Sequence, residues 1–198
     1  MAKLQRAALG LRAHSGWAVL VVVAGARRRP CLLERLRIDL ADRTPAQPYH
    51  HAAKLTDLGA AAAAIERARE EAHARAEAAI SAAVGRARTA GYHLQRAAIL
   101  VKNGRPLPPL DAILRSHPLL HTAEGELFRN VLIDSCEASH LEITRWPERD
   151  AFKQSTRSLG MTVAALDKKL LVFGRSCGPP WNADHKIACA AALSLLTQ

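Results

Sequence analysis

The sequence predicts an α/β fold: a five-stranded mixed sheet, three antiparallel strands followed by two parallel ones, with helices on both faces. Three observations predict it. Residues 1–40 contain three apolar or alternating segments parted by short turns at Ser15-Gly16 and at 25–30. A long alanine-rich stretch follows, with apolar positions at helical spacing. Beyond Gly91, strand-like and helix-like segments alternate to the end of the chain.

Residues 5–11 read as the first strand and 17–24 as the second, which is Val-rich and apolar enough to be buried on both faces. Residues 31–40 alternate, with Leu32, Glu34, Leu36 and Ile38 on one face and Leu33, Arg35, Arg37 and Asp39 on the other. Short turns make these three strands pair antiparallel in order. Residues 42–55, with Pro45 and Pro48, read as a connector. Thr56 is the expected cap of a helix running to about residue 90 and stopped by Gly91. Its stripe is Ile65, Ala68, Ala72, Ala76, Ala79, Ala83 and Ala87. The small side chains there allow close approach to a sheet.

Residues 94–101 are apolar throughout, as a parallel strand reached through a crossover helix should be. That crossover places the first strand in the centre, antiparallel to the second and parallel to the fourth. After a loop at 103–109 come a short helical piece at 110–116 and a longer helix at 119–138 with Ala123, Leu127 and Val131 inward. A fifth strand at 141–145 and helices around 150–158 and 163–176 follow, and Asn182 caps a last helix. No linker divides the chain, so residues 1–198 are expected to form one domain.

Composition narrows the function. Hydrophobic residues make up 49% and charged residues 23%, which is globular rather than disordered. The formal net charge is +10, with a sequence pI of about 10.1, and favours polyanionic partners. Aromatic residues are only 4%, too few for single-strand binding on stacked rings. Cys31, Cys136, Cys177 and Cys189 show no paired spacing and read as reduced thiols of a cytoplasmic protein. The run 17–26 after Lys3, Arg6 and Arg12 mimics a secretion signal. Arg27-Arg28-Arg29 directly after it, Gly16 before it and its Val content favour a strand. The run is also too short to span a membrane. No nucleophile elbow, P-loop or dinucleotide fingerprint is present, which removes support for those enzyme classes.

The order of elements is that of the ribonuclease H-like fold, and two segments bring the chain closer to one of its families. Leu9-Gly10-Leu11 followed by Gly16-Trp17-Ala18-Val19-Leu20 resembles the opening hairpin of RuvC-type Holliday-junction resolvases. Asp184-His185-Lys186-Ile187-Ala188-Cys189-Ala190-Ala191-Ala192 resembles their last helix, where Asp-x-x-Asp-Ala opens an Ala-rich run. The resemblance implies nucleic-acid binding and a carboxylate cluster that holds two divalent ions, Mg²⁺ or Mn²⁺, for phosphodiester cleavage. It leaves a homodimer open and requires no membrane.

The departures bear on that chemistry. Arg12 occupies the place of the first acid, the fourth strand ends Leu100-Val101-Lys102 without one, and Ile187 replaces the second acid of the last helix. By this matching Asp184 alone remains. A rebuilt site would draw its catalytic groups from Glu124, Glu126, Asp184 and Arg12, with Glu124 and Asp184 holding a metal and Arg12 neutralising a phosphate. His121 and Glu124, three residues apart, can share a helix face, although acids in a first turn also serve the helix dipole. His117 adds to this polar group. Of the tandem pair His50-His51, one ring can reach a cleft as a general base while the other faces solvent. Arg27, Arg28, Arg29, Lys102 and Arg105 are the expected phosphate contacts, with Arg35 and Arg37 on the same hairpin. The alternative for that hairpin is a solvated basic edge. Trp146-Pro147-Glu148-Arg149 and Pro179-Pro180-Trp181 read as packing corners. Two readings therefore stand: a nucleic-acid-binding protein that cuts with a non-standard metal site, and an inactive scaffold that acts by binding.

Overall fold

A computed structural model describes residues 4–26, 29–102, 104 and 106–196. Its five strands are β1 (Gln5–His14), β2 (Trp17–Ala26), β3 (Arg29–Asp39), β4 (Tyr92–Val101) and β5 (Glu142–Pro147), in the order β3-β2-β1-β4-β5. β1 is central, antiparallel to β2 and parallel to β4, as the crossover argument requires. β2 pairs antiparallel with β3, and β4 parallel with β5. The run that mimics a secretion signal is a buried inner strand of this sheet. Among the described residues no helix is long and apolar enough to cross a membrane.

One layer holds α1 (Pro48–Ala52), α2 (Leu58–Thr89), α3 (Leu110–Leu114) and α4 (His117–Ala138). Asp57, not Thr56, caps α2 by accepting from the Ala60 N–H at 2.7 Å. The stripe of α2 is buried as expected except at Ala79, which is half-buried, and the fully buried Ile80 adds bulk that the alanine pattern concealed. The stripe packs with Leu9 and Leu11 of β1, Leu20 and Val22 of β2, and Leu127, Phe128 and Val131 of α4. Helix α1 interrupts what reads as a plain connector. Pro48 supplies its first turn, and Glu71 of α2 anchors the preceding chain by accepting from the N–H groups of Asp42, Arg43 and Thr44 at 2.9–3.1 Å.

The second layer holds a 3₁₀ turn (Glu148–Asp150), α5 (Ala151–Leu159), α6 (Val163–Cys177) and α7 (Ala183–Leu195). Helix α7 lies on the sheet through Ala188, Ala191 and Ala192, against Ala8, Val19 and Val21. Gly10 makes that approach possible: a Cβ there would collide with the backbone carbonyl of Ala188 and sit 3.2 Å from the Ala192 Cβ. Asn182 caps α7 as expected, accepting from the N–H groups of Asp184 (3.1 Å) and His185 (3.3 Å).

One expectation about β3 is corrected. The register shifts at a bulge opposite Val22 and Val23, so the strict alternation fails there. Leu36 and Ile38 face α2 with Cys31 and Leu33, while Leu32 turns to the α7 side. The two Trp corners do pack. Trp146 is buried with its Nε1 donating to the Ala151 carbonyl at 3.1 Å, and the Trp181 ring lies against Gly174.

Candidate functional site

Alternation along β1 sends Leu9 and Leu11 toward α2 and α4, and Gly10, Arg12 and His14 toward α7. Arg12 therefore meets the first turn of α7. Its Nη1 donates to Asp184 Oδ1, and its Nη2 donates to Oε1 of Glu148, just beyond β5. One guanidinium thus holds these two carboxylates, with Arg12 only 21% exposed. His14 Nε2 lies 3.4 Å from Asp184 Oδ2. The His14 ring stacks on Trp17 at 4.1 Å, and the Arg37 guanidinium covers the Trp17 ring at 4.2 Å. Burial, together with Arg12, pushes the His14 pKa below its ordinary value, although Asp184 pulls it up.

Beside this ion pair opens a cleft of about 740 Å³ between the ends of β4 and β5 and the start of α7. Val101, Lys102, Pro147, Glu148, Arg149 and Ile187 help line it. A smaller cleft of about 380 Å³ lies on the α4 side and shares Lys102, with Arg129, Glu126 and His121 in its wall. Burial lowers the Arg129 pKa, while Glu126 and Glu148 raise it.

Glu124 is elsewhere. It is 1% exposed on α4, and its Oε1 accepts from the backbone N–H groups of Tyr49 (3.0 Å) and His50 (3.2 Å). The same oxygen faces His50 Nδ1 at 3.0 Å. Burial pushes the Glu124 carboxyl up, against the pull of His50. His50, His117 and His121 gather here, with ring centroids 4.5–5.6 Å apart. Burial and the two neighbouring rings push His121 down.

The structure thus brings Arg12 and Asp184 together and leaves Glu124 apart from them. Glu124 sits among α1 and α4 on one side of the sheet, and Asp184 at α7 on the other. Glu126 faces the smaller cleft, beside Arg129. The oxygen cage for Mg²⁺ or Mn²⁺ that the resemblance implies does not fit the residues at the end of β1. A cation already occupies the space between Asp184 and Glu148. Glu148 was hidden in a Trp-Pro corner, although its place beyond a parallel strand is where such sheets carry ligands. The His-x₃-His spacing of His117 and His121 was the legible signal for the histidine cluster.

The expected phosphate contacts divide as well. Arg29 begins β3 at the end of the sheet where β1 starts, opposite the end that carries Lys102. Arg27, Arg28 and Arg105 lie outside the described residues. Arg35 and Arg37 are engaged locally: Arg35 donates to the carbonyls of Cys177, Gly178 and Pro179, and Arg37 to Asp39 at 2.9 Å.

No family model matches the chain, and no curated protein matches it. Solved structures do. RuvC of T. thermophilus in complex with a Holliday junction substrate superposes with a TM-score of 0.58 at 13% identity, covering 97% of this chain and 93% of that one. A second Thermus thermophilus RuvC structure gives 0.55 at 12% identity, over 96% and 93%. The chain has the ribonuclease H-like fold, and its structural neighbours are RuvC Holliday-junction resolvases.

Proposed function

We propose that the protein binds nucleic acid through the end of the sheet where β4 and β5 finish, and that it binds without cutting by the two-metal route. One observation carries this reading: Arg12 bridges Asp184 and Glu148 where a cleaving relative needs free carboxylates. Lys102 between the two clefts, Arg129 on one side and Arg149 on the other supply positive charge along their walls. The net charge of +10 and the resemblance to junction-binding structures support the same polyanionic partner. The carboxylates Glu124, Glu126 and Asp184 are dispersed, which favours the scaffold over the rebuilt nuclease. A cytoplasmic protein acting as a monomer or a homodimer fits this role.

The test is a pair of assays on purified protein with branched DNA, linear duplex and RNA–DNA hybrid. Gel shifts at low and moderate salt should show binding that weakens steeply as salt rises, because the contacts are to phosphates. Incubation with Mg²⁺ or Mn²⁺ should leave all three substrates intact. Cleavage that is lost in Asp184→Asn would replace this reading with the nuclease. Absence of binding at low salt would remove nucleic acid altogether.

A further inference from the structure

We propose that His50, His117 and His121 bind one divalent transition-metal ion of the Zn²⁺ class, with Glu124 as the carboxylate that orients His50. The three side chains come from two helices. His117 and His121 are one turn apart at the start of α4, so their rings share a face. His50 belongs to α1, which Glu124 pins against α4 by accepting from the Tyr49 and His50 N–H groups. One nitrogen from each ring lies within 4.8 Å of the others, and His117 Nε2 and His121 Nε2 are 3.1 Å apart. Ligand nitrogens around tetrahedral Zn²⁺ at about 2.0–2.1 Å sit about 3.3 Å from one another. The pair on α4 is therefore near that spacing already, and His50 needs a small approach.

The hydrogen-bond geometry of His50 is the second, independent observation. Glu124 Oε1 accepts from two backbone N–H groups and faces His50 Nδ1 at 3.0 Å, a geometry in which a neutral His50 donates from Nδ1 to the carboxylate. His50 Nε2 is then a lone pair. It is buried and has no hydrogen-bond partner, and it belongs to the histidine whose ring faces the other two. A hydrogen bond between His117 Nε2 and His121 Nε2 would pair those two atoms and still leave this lone pair unmet. A metal ion satisfies all three. The Glu–His–metal arrangement fixes the tautomer and raises the basicity of the ligand nitrogen. Imidazole ligands select Zn²⁺, Co²⁺, Ni²⁺ or Cu²⁺ over Mg²⁺ or Ca²⁺, which prefer oxygen. Three protein ligands leave a fourth position for water or an anion, and His121 also lines the cleft that holds Lys102 and Arg129.

The proposal is independent of the nucleic-acid reading, and its test uses no activity. Untagged full-length protein is stripped with chelator and titrated with Co²⁺ while the visible spectrum is recorded. Zn²⁺ is titrated by calorimetry, and Mg²⁺ serves as the control. The expected result is one equivalent of Co²⁺ with the intense bands of a tetrahedral site, displacement by Zn²⁺, and no response to Mg²⁺. His117→Ala and His121→Ala each remove a solvent-exposed ligand, so both variants should fold, by circular dichroism, and lose the bands. Glu124→Gln should weaken Zn²⁺ binding by about tenfold to a hundredfold. If that variant unfolds, the two histidine variants decide the matter. A wild type that binds neither Co²⁺ nor Zn²⁺ overturns the proposal, as does binding that survives unchanged in both histidine variants.

Discussion

The guanidinium of Arg12 donates to Asp184 across the gap between the central strand and the first turn of α7. That contact ties the middle of the sheet to the helix that covers it, and it also engages Glu148 at the end of β5. Both carboxylates are mostly shielded from water, at 15% exposure for Asp184 and 24% for Glu148, so losing the cation leaves two like charges facing each other. A double-mutant cycle with Arg12→Ala and Asp184→Ala, read by urea denaturation, should give a coupling of about 1 to 3 kcal/mol. A coupling near zero would mean that solvent screens the pair as it screens a surface ion pair.

The same geometry predicts a gain of function. Arg12→Asp would exchange the cation for a third carboxylate beside Asp184 and Glu148. In a His117→Ala background, which removes the histidine cluster as a competing ligand set, Mn²⁺ should raise the melting temperature of Arg12→Asp and leave that of the Arg12 parent unchanged. A variant that melts identically with and without Mn²⁺ would show that the three side chains do not converge on one ion.

Stability should fall with acidification in two windows. Burial holds the His14 and His185 pKa values below the ordinary imidazole value. The unfolded chain, titrating near 6.5, therefore takes up protons before the native one. Their contribution is full above about pH 6.5 and declines as the pH drops toward the lowered native values. Glu71 works lower. Burial pushes its carboxyl up, but the N–H groups of Arg43 and Thr44 and the Arg75 side chain outweigh this and hold it at about 2. Its contribution is present above about 4.5 and is lost as the pH falls toward 2. Urea midpoints measured from pH 8 to pH 3 should decline across both windows. Glu71→Gln should flatten the lower one, and His14→Gln should reduce the upper one.

Gly10 should tolerate no side chain. A methyl group there meets the Ala188 carbonyl, and α7 is held flat on the sheet by Ala191 and Ala192 as well. Gly10→Ala should destabilise by about 1 to 3 kcal/mol through overpacking. Gly85 on α2 is a control, because a Cβ there meets nothing within 4 Å. Gly85→Ala should stabilise by about 0.5 to 1 kcal/mol through helix propensity. Equal effects at the two positions would contradict the packing of α7.

Binding, if it runs along the clefts at Lys102, should respond to charge there and not at the far end of the sheet. Lys102→Ala should lower affinity about severalfold and reduce the slope of log affinity against log salt by about 1. Arg29→Ala should leave both within error, since Arg29 lies at the opposite end of the strands. The reverse result would move the interface to the β2–β3 turn.

Local chemistry determined the elements. The Val-rich run of β2, the alanine stripe of α2 and the Asn182 cap each follow from the pleat, the helical repeat and the orphan N–H groups of a helix start, and these signals act within a few residues. The short turns and one crossover then determined that β1 is central. Partners far apart in the sequence were decided only by the tertiary structure. Arg12 and Asp184 are separated by 172 positions, and His50 and Glu124 by 74. Whether Glu124 faces Asp184 or His50 depends on which side of the sheet α4 occupies, and no local pattern carries that choice. The bulge in β3 is of the same kind: one unpaired residue reverses the faces of those beyond it, and pairing with β2 alone places it. Sequence therefore supplied the strands and the helices other than α1, and the packing of two helical layers on one sheet decided which charges meet.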